Sequence, residues 1–135
     1  MSYKIDEIEG IGPKYAADLA TAGIKTTDDL LDQCGGATGR KAVAESTGIS
    51  EKRLLEWANM ADLMRISGVG AEFAELLEGS GVDTVKELRH RNAENLAAKM
   101  KDVNEIKELT RSVPSASQVT RWIEAAKELE PRITH

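Results

Sequence analysis

The stretch IEGIGPKYAADLATAGIKT runs from Ile8 to Thr26, and ISGVGAEFAELLEGSGVDT runs from Ile66 to Thr84. They are two copies of one pattern set 58 positions apart. Ile8/Ile66, Gly10/Gly68, Gly12/Gly70, Ala16/Ala74, Leu19/Leu77, Gly23/Gly81, Thr26/Thr84 and Leu30/Leu88 are identical at that offset. Ile11/Val69, Tyr15/Phe73 and Ile24/Val82 are similar. Each copy opens on Gly-x-Gly, continues with apolar residues at helical spacing and closes on a glycine. Glycine permits a positive φ and a close approach of backbone. The apolar residue between the glycines can point back into a core and pin the turn. Pro13 suits the first position of a helix, and a glycine just past the last periodic residue stops one. The pattern predicts a turn, a helix and a stop, used twice.

The rest of the chain carries helical spacing too, while alternating runs that would signal strands are absent. Ile5 and Ile8 begin a first short helix. Thr27, followed by Asp28 and Asp29, reads as a helix start, and Gly35-Gly36 as its end. Thr38 or Gly39 opens a helix that Gly48 closes, and Ser50 caps EKRLLEWANMADLMR. In the second half Asp83 or Thr84 caps VKELRHR, Asn92 caps AENLAAKMK, VNEIKELTRS forms a further helix, and Ser117 opens QVTRWIEAAKELE. Trp57 pairs with Trp122 and Ala61 with Ala126 at an offset of 65, so the second copy holds seven extra residues, placed around NEIKELT. The expected fold is all-α: a first repeat over residues 1–65, a second over 66–130 and a short, loose tail over 131–135, packed as one compact helical body. The tryptophans are expected as core anchors.

Composition limits what such a fold can do. The 135 residues carry 18 basic and 23 acidic groups, a formal net charge of −5. Both halves are acidic: residues 1–65 hold 8 basic and 11 acidic groups, residues 66–135 hold 10 and 12. A broad basic surface is thereby excluded, though a small local site is not. Cys34 is the only cysteine, so no internal disulfide or cysteine cluster can form, and a buried, inert thiol is expected. His90 and His135 are the only histidines and have no ligand partners at metal spacing. No apolar run is long enough to cross a membrane, and the N-terminus lacks the order of a signal peptide. A reducing, cytoplasmic location is expected. No phosphate-binding loop of the Walker type, no Gly-x-Ser-x-Gly and no Cys–His pair appears, so the chain is not expected to be an enzyme.

The turn has a chemistry of its own. The free N–H groups and dipole of a helix beginning at Pro13 form an anion site, and Lys14 adds a full positive charge. Gly10, Ile11, Gly12 and Lys14 suit one backbone phosphate and cannot read a base sequence. Arg40 and Lys41, with Lys52 and Arg53, could extend this to a modest patch or could form a solvated face. Arg89-His90-Arg91 could cap a helix end or contact phosphate. The second copy keeps the shape, in Gly68, Val69 and Gly70, but Glu72 replaces the lysine, with Glu75 and Glu78 following. That charge repels a phosphate, so the second turn is expected to be structural or a partner-protein contact. STGIS (46–50) and VPSAS (113–117) are either degraded copies of the turn or plain helix caps at Ser50 and Ser117.

I-x-G-I-G-P-x-x-A-x-x-L-x-x-A-G-I-x-T resembles the helix-hairpin-helix motif of DNA repair and recombination proteins, through Gly10, Ile11, Gly12, Lys14, Ala16, Leu19 and Gly23. Over nearly the whole chain, LLEWANMADLMRISGVGAEFAELLEGSGVDTVKEL and VPSASQVTRWIEAAKELEPRIT resemble the bacterial domain-of-unknown-function family 4332, with tandem helix-hairpin-helix motifs. The resemblance implies a SAM-like helical fold and a module that holds the DNA backbone without sequence preference. It also implies that hairpin carbonyls, here those of Ile8, Gly10 and Val69, could hold a monovalent cation; no other cofactor is expected. The alternative is a protein-interaction adaptor that keeps the fold and has lost most DNA affinity.

Overall fold

Side-chain caps set five of the eight helix starts in a computed structural model that describes residues 2–135. The described residues form eight α-helices and one 3-10 turn and no strand; an isolated bridge joins Lys4 and Thr26. They divide into two compact units, residues 2–62 with 132–135 and residues 63–131. The first unit holds the 3-10 turn Ile5–Glu7, α1 (Pro13–Thr21), α2 (Thr27–Cys34), α3 (Ala37–Thr47) and nearly all of α4 (Glu51–Leu63). The second holds α5 (Ala71–Gly79), α6 (Val85–Leu88), α7 (Ala93–Lys107) and α8 (Ala116–Lys127). Among the described residues no helix is long and apolar enough to cross a membrane.

The repeated residues build two equivalent cores. Ile8 and Ile66, Leu19 and Leu77, Ile24 and Val82, Leu30 and Leu88, and Trp57 and Trp122 are buried in their own units. Each such side chain contributes about 1.5–3 kcal/mol by leaving water, so the repeat visible in sequence is the repeat of the cores. Tyr15 packs edge-on against Trp57 and Phe73 tilts against Trp122, both with ring centroids 5.1 Å apart.

Thr26, not the expected Thr27, caps α2, its Oγ1 accepting the Asp29 N–H at 3.1 Å, while Thr27 is the first helical residue and is buried. Asp29 Oδ2 accepts in return from the N–H groups of Lys25 at 3.0 Å and Thr26 at 3.1 Å. The Lys25 N–H bond does most to hold the Asp29 carboxyl below its ordinary 3.8; the Thr26 bonds and the Lys25 charge add to this, against a partial desolvation. Thr84, Ser50 and Asn92 cap α6, α4 and α7 through the N–H groups of Glu87, Arg53 and Asn95.

Three expectations give way. AENLAAKMK and VNEIKELTRS are not two helices but parts of one, because neither glycine nor proline interrupts residues 93–107. α7 ends only where Glu108 turns left-handed at φ 50° and Asn104 ties off the chain through both the N–H and the carbonyl of Thr110. The extra length of the second repeat lies in this helix, 15 residues against 11 in α3, and in the connection 108–115. Ser115, not Ser117, caps α8, accepting the Gln118 N–H at 3.1 Å; Ser117 lies inside the first turn, its hydroxyl 3.2 Å from that of Ser115.

Nor is the end of the chain loose. Residues 132–135 belong to the first unit. The Thr134 N–H donates to the Gly35 carbonyl at 2.8 Å, Ile133 is buried, and Arg132 pairs with Asp32. Gly35 makes this possible: a Cβ there would come within 2.4 Å of the Arg132 carbonyl oxygen. The Arg40 guanidinium gathers the carbonyls of Cys34, Gly35 and Thr134 into one buried knot. Cys34 lies wholly inside, and its burial pushes the thiol up to about 11, against the opposing charge of Arg40.

Two measurements check this. Because the Asp29 carboxyl is depressed, its contribution is present above 3.8 and is lost as pH falls through the folded value. Asp29→Asn therefore lowers the urea midpoint at pH 7, and the difference from wild type closes below pH 3.8; an undiminished difference at low pH refutes the charge-based account. Deleting residues 132–135 is expected to lower stability and to speed Cys34 labelling by a disulfide reagent relative to the intact chain, in which the thiol is buried; equal labelling rates refute the docked tail.

Candidate functional site

The two glycine turns are the same object in backbone geometry. Gly10 and Gly68 both have φ 92°. The next residue folds its N–H back onto the isoleucine carbonyl before the turn, Ile11 to Ile8 at 3.1 Å and Val69 to Ile66 at 3.0 Å. Ile11 and Val69 are thereby pointed inward and buried. Gly12 and Gly70 then take extended conformations as the N-caps of α1 and α5. A Cβ on Gly10 would sit 3.4 Å from Trp57 Nε1, and one on Gly68 would sit 3.4 Å from Trp122 Nε1. The indole of α4 or α8 therefore lies against the outside of the turn in its own unit.

Neither α1 nor α5 has a side-chain cap. Their first N–H groups, like those of α3, lack the oxygen that Thr26, Ser50, Thr84, Asn92 and Ser115 supply to the remaining helices. Such amides are the natural partners of an anion. At the first turn Lys14 is 87% exposed and makes an i,i+4 pair with Asp18 at 3.3 Å. Arg53 lies over the ring of Tyr15, its guanidinium carbon 5.3 Å from the centroid, so α4 brings a second cation to the start of α1. At the second turn Glu72 is exposed in the first turn of α5.

The other candidates disperse. Arg40 leaves the basic patch: it is 4% exposed and committed to three carbonyls of its own unit. Lys41 is exposed on α3, with no bond tying it to the first turn. Arg89 and Arg91 act on backbone, donating to the carbonyls of Leu129 and Gly81 at 2.8 and 3.2 Å. The Ile8 carbonyl, considered for a cation, already accepts the Ile11 N–H. Among the described residues no group of three or more His, Cys, Asp or Glu side chains is placed to hold a metal.

One residue escaped the sequence reading. Arg121 of α8 lines a cleft beside Ser67 and Gly68 at the second turn. The signal was present in the 65-residue offset, which sets Arg121 opposite Glu56, a reversal of charge between equivalent helices.

A left-handed φ at a residue with Cβ costs about 1–2 kcal/mol, and the 3.4 Å approach to an indole adds to it. Gly10→Ala and Gly68→Ala are each expected to lose roughly 1–3 kcal/mol of stability by urea denaturation. Losses below the uncertainty of the measurement at both positions refute this description of the turns.

Comparison with curated proteins and with solved structures gives no match. Over residues 9–129, a span that takes in both glycine turns and both tryptophan helices, the sequence matches the family described as Domain of unknown function (DUF4332), and the chain belongs to that family.

Proposed function

We propose that the chain is a non-enzymatic helix-hairpin-helix module that holds the DNA backbone at its first turn, without sequence preference. The observation that carries this reading is Gly12. Its φ of −86° is open to any residue, and a Cβ there would meet nothing within 4 Å. Neither conformation nor packing asks for glycine. A serine or aspartate would cap α1 better. What glycine uniquely leaves is an uncovered row of amides, with Lys14 and Arg53 at the same end of the helix. The exposed Lys14–Asp18 pair contributes only about 0–1 kcal/mol, so an incoming phosphate can take the lysine over.

Such a contact is weak, with dissociation constants of roughly 10⁻⁴–10⁻⁶ M at physiological salt, and neutralises few phosphates, so its salt dependence is shallow. The buried lone thiol and the bacterial family resemblance accord with a reducing bacterial cytoplasm. A second reading, the protein-interaction adaptor, is favoured by the internal commitment of Arg40 and by Glu72 at the second turn, which shrink the cationic surface.

Fluorescence anisotropy with duplex and single-stranded DNA across salt tests the first reading. Lys14→Glu is expected to abolish binding. Gly12→Asp is expected to do the same while raising stability by a few tenths of a kcal/mol, since aspartate is the better cap. No binding by wild type even at low salt, or binding untouched by both substitutions, refutes the DNA reading.

A further inference from the structure

The two repeats differ in side-chain chemistry where α4 and α8 meet the turns. Ser67 stands where the first repeat has Glu9, and Gln118, Arg121 and Ala125 stand where it has Arg53, Glu56 and Met60. In the second unit these residues, with Gly68 and Trp122, line a cleft of about 390 Å³. Met60 is buried in its unit; Ala125 is a far smaller side chain, and the wall of the cleft is set back accordingly. Two carboxylates, a guanidinium and a bulky thioether give way to a hydroxyl, a guanidinium, an amide and a methyl group.

The lining is rich in hydrogen-bond donors and contains no carboxylate. Arg121 is exposed and forms no ion pair among the described residues. Trp122 is only 3% exposed, but its indole N–H, which can only donate, makes no hydrogen bond within the protein and stays accessible to solvent. That N–H faces the second turn at the cleft. An accessible indole N–H without a protein acceptor, an unpaired guanidinium, a serine hydroxyl and a glutamine amide line one space. Their common partner is an anion with several acceptor lone pairs.

Charge narrows the class. The lining carries a single cation. Glu72 stands exposed at the start of α5, and Glu124 follows Arg121 on α8, paired with Lys127 at 3.1 Å. A nucleic-acid strand would bring further phosphates against these acids. One carboxylate brings one charge, matches the guanidinium fork bidentately, and offers an apolar stem for Ala125 and the face of Trp122. We infer that the cleft between the second glycine turn and α8 binds a carboxylate of a partner polypeptide, a site independent of the DNA contact at the first turn.

The two tryptophans supply the test, one reporter per unit, in ¹⁵N–¹H spectra of the full chain with the indole signals assigned by Trp57→Phe. The probes are acetyl-Ala-Ala-Ala with a free C-terminus, acetyl-Ala-Glu-Ala-amide, acetyl-Ala-Gln-Ala-amide and inorganic phosphate. A carboxylate peptide is expected to move the Trp122 indole signal saturably, with the Trp57 signal still and the glutamine peptide inert. Which of the two carboxylate peptides acts identifies a chain terminus or a side chain as the source. Arg121→Gln, on the surface, weakens binding about tenfold or more, and Ala125→Met abolishes it by filling the cleft. No saturable shift at about 10 mM of either carboxylate peptide overturns the inference, as does an equal effect of the glutamine peptide. A stronger response to phosphate, or binding unchanged in Arg121→Gln, overturns it too. The DNA reading stands or falls separately, on Lys14→Glu.

Discussion

A glycine held at φ 92° beneath an indole is the constraint on which each unit is built. The positive φ turns the chain sharply enough for the following apolar residue to enter the core and for a helix to begin one residue later. The absence of a Cβ lets the tryptophan of the last helix close over the turn. The same tryptophan packs on an aromatic residue in the first turn of the new helix, so turn, helix start and closing helix become one packed corner. The identities shared by the two copies are the residues this corner requires, and the positions around it are free to diverge.

They have diverged in compensating directions. The first corner has a lysine at the start of α1 and a glutamate, Glu56, on the closing helix; the second has Glu72 at the start of α5 and Arg121 on the closing helix. The first corner draws cations from both helices, Lys14 on α1 and Arg53 on α4, whereas the second keeps one, Arg121 on α8. The shape is common property of the repeat, and the charge around each turn is carried by a handful of side chains that the fold does not constrain.

How much of this could be read from sequence depends on how far apart the interacting residues lie. The glycine turns, the caps at Ser50 and Asn92 and the paired core positions are local or periodic, and the sequence displays them openly. Gly12 and Lys14 belong to one short stretch for the same reason. Arg40 was not legible, because a carbonyl 94 positions away completes its shell; near the start of a helix an arginine looks like surface charge. Arg121 was hidden in the same way, since Ser67 and Gly68 become its neighbours only when α8 closes on the turn. The continuity of α7 was missed for an energetic reason. Polar residues and an asparagine in mid-helix suggest a break, but a helix without glycine or proline loses little by running on.

The docking of residues 132–135 on the first unit makes that unit discontinuous, with the whole of residues 63–131 inserted between its parts. The Arg40 guanidinium holds two carbonyls from its own neighbourhood and a third from residue 134. The first unit can therefore form most of its contacts from a continuous stretch of chain, but its last one joins segments that residues 63–131 keep apart in sequence.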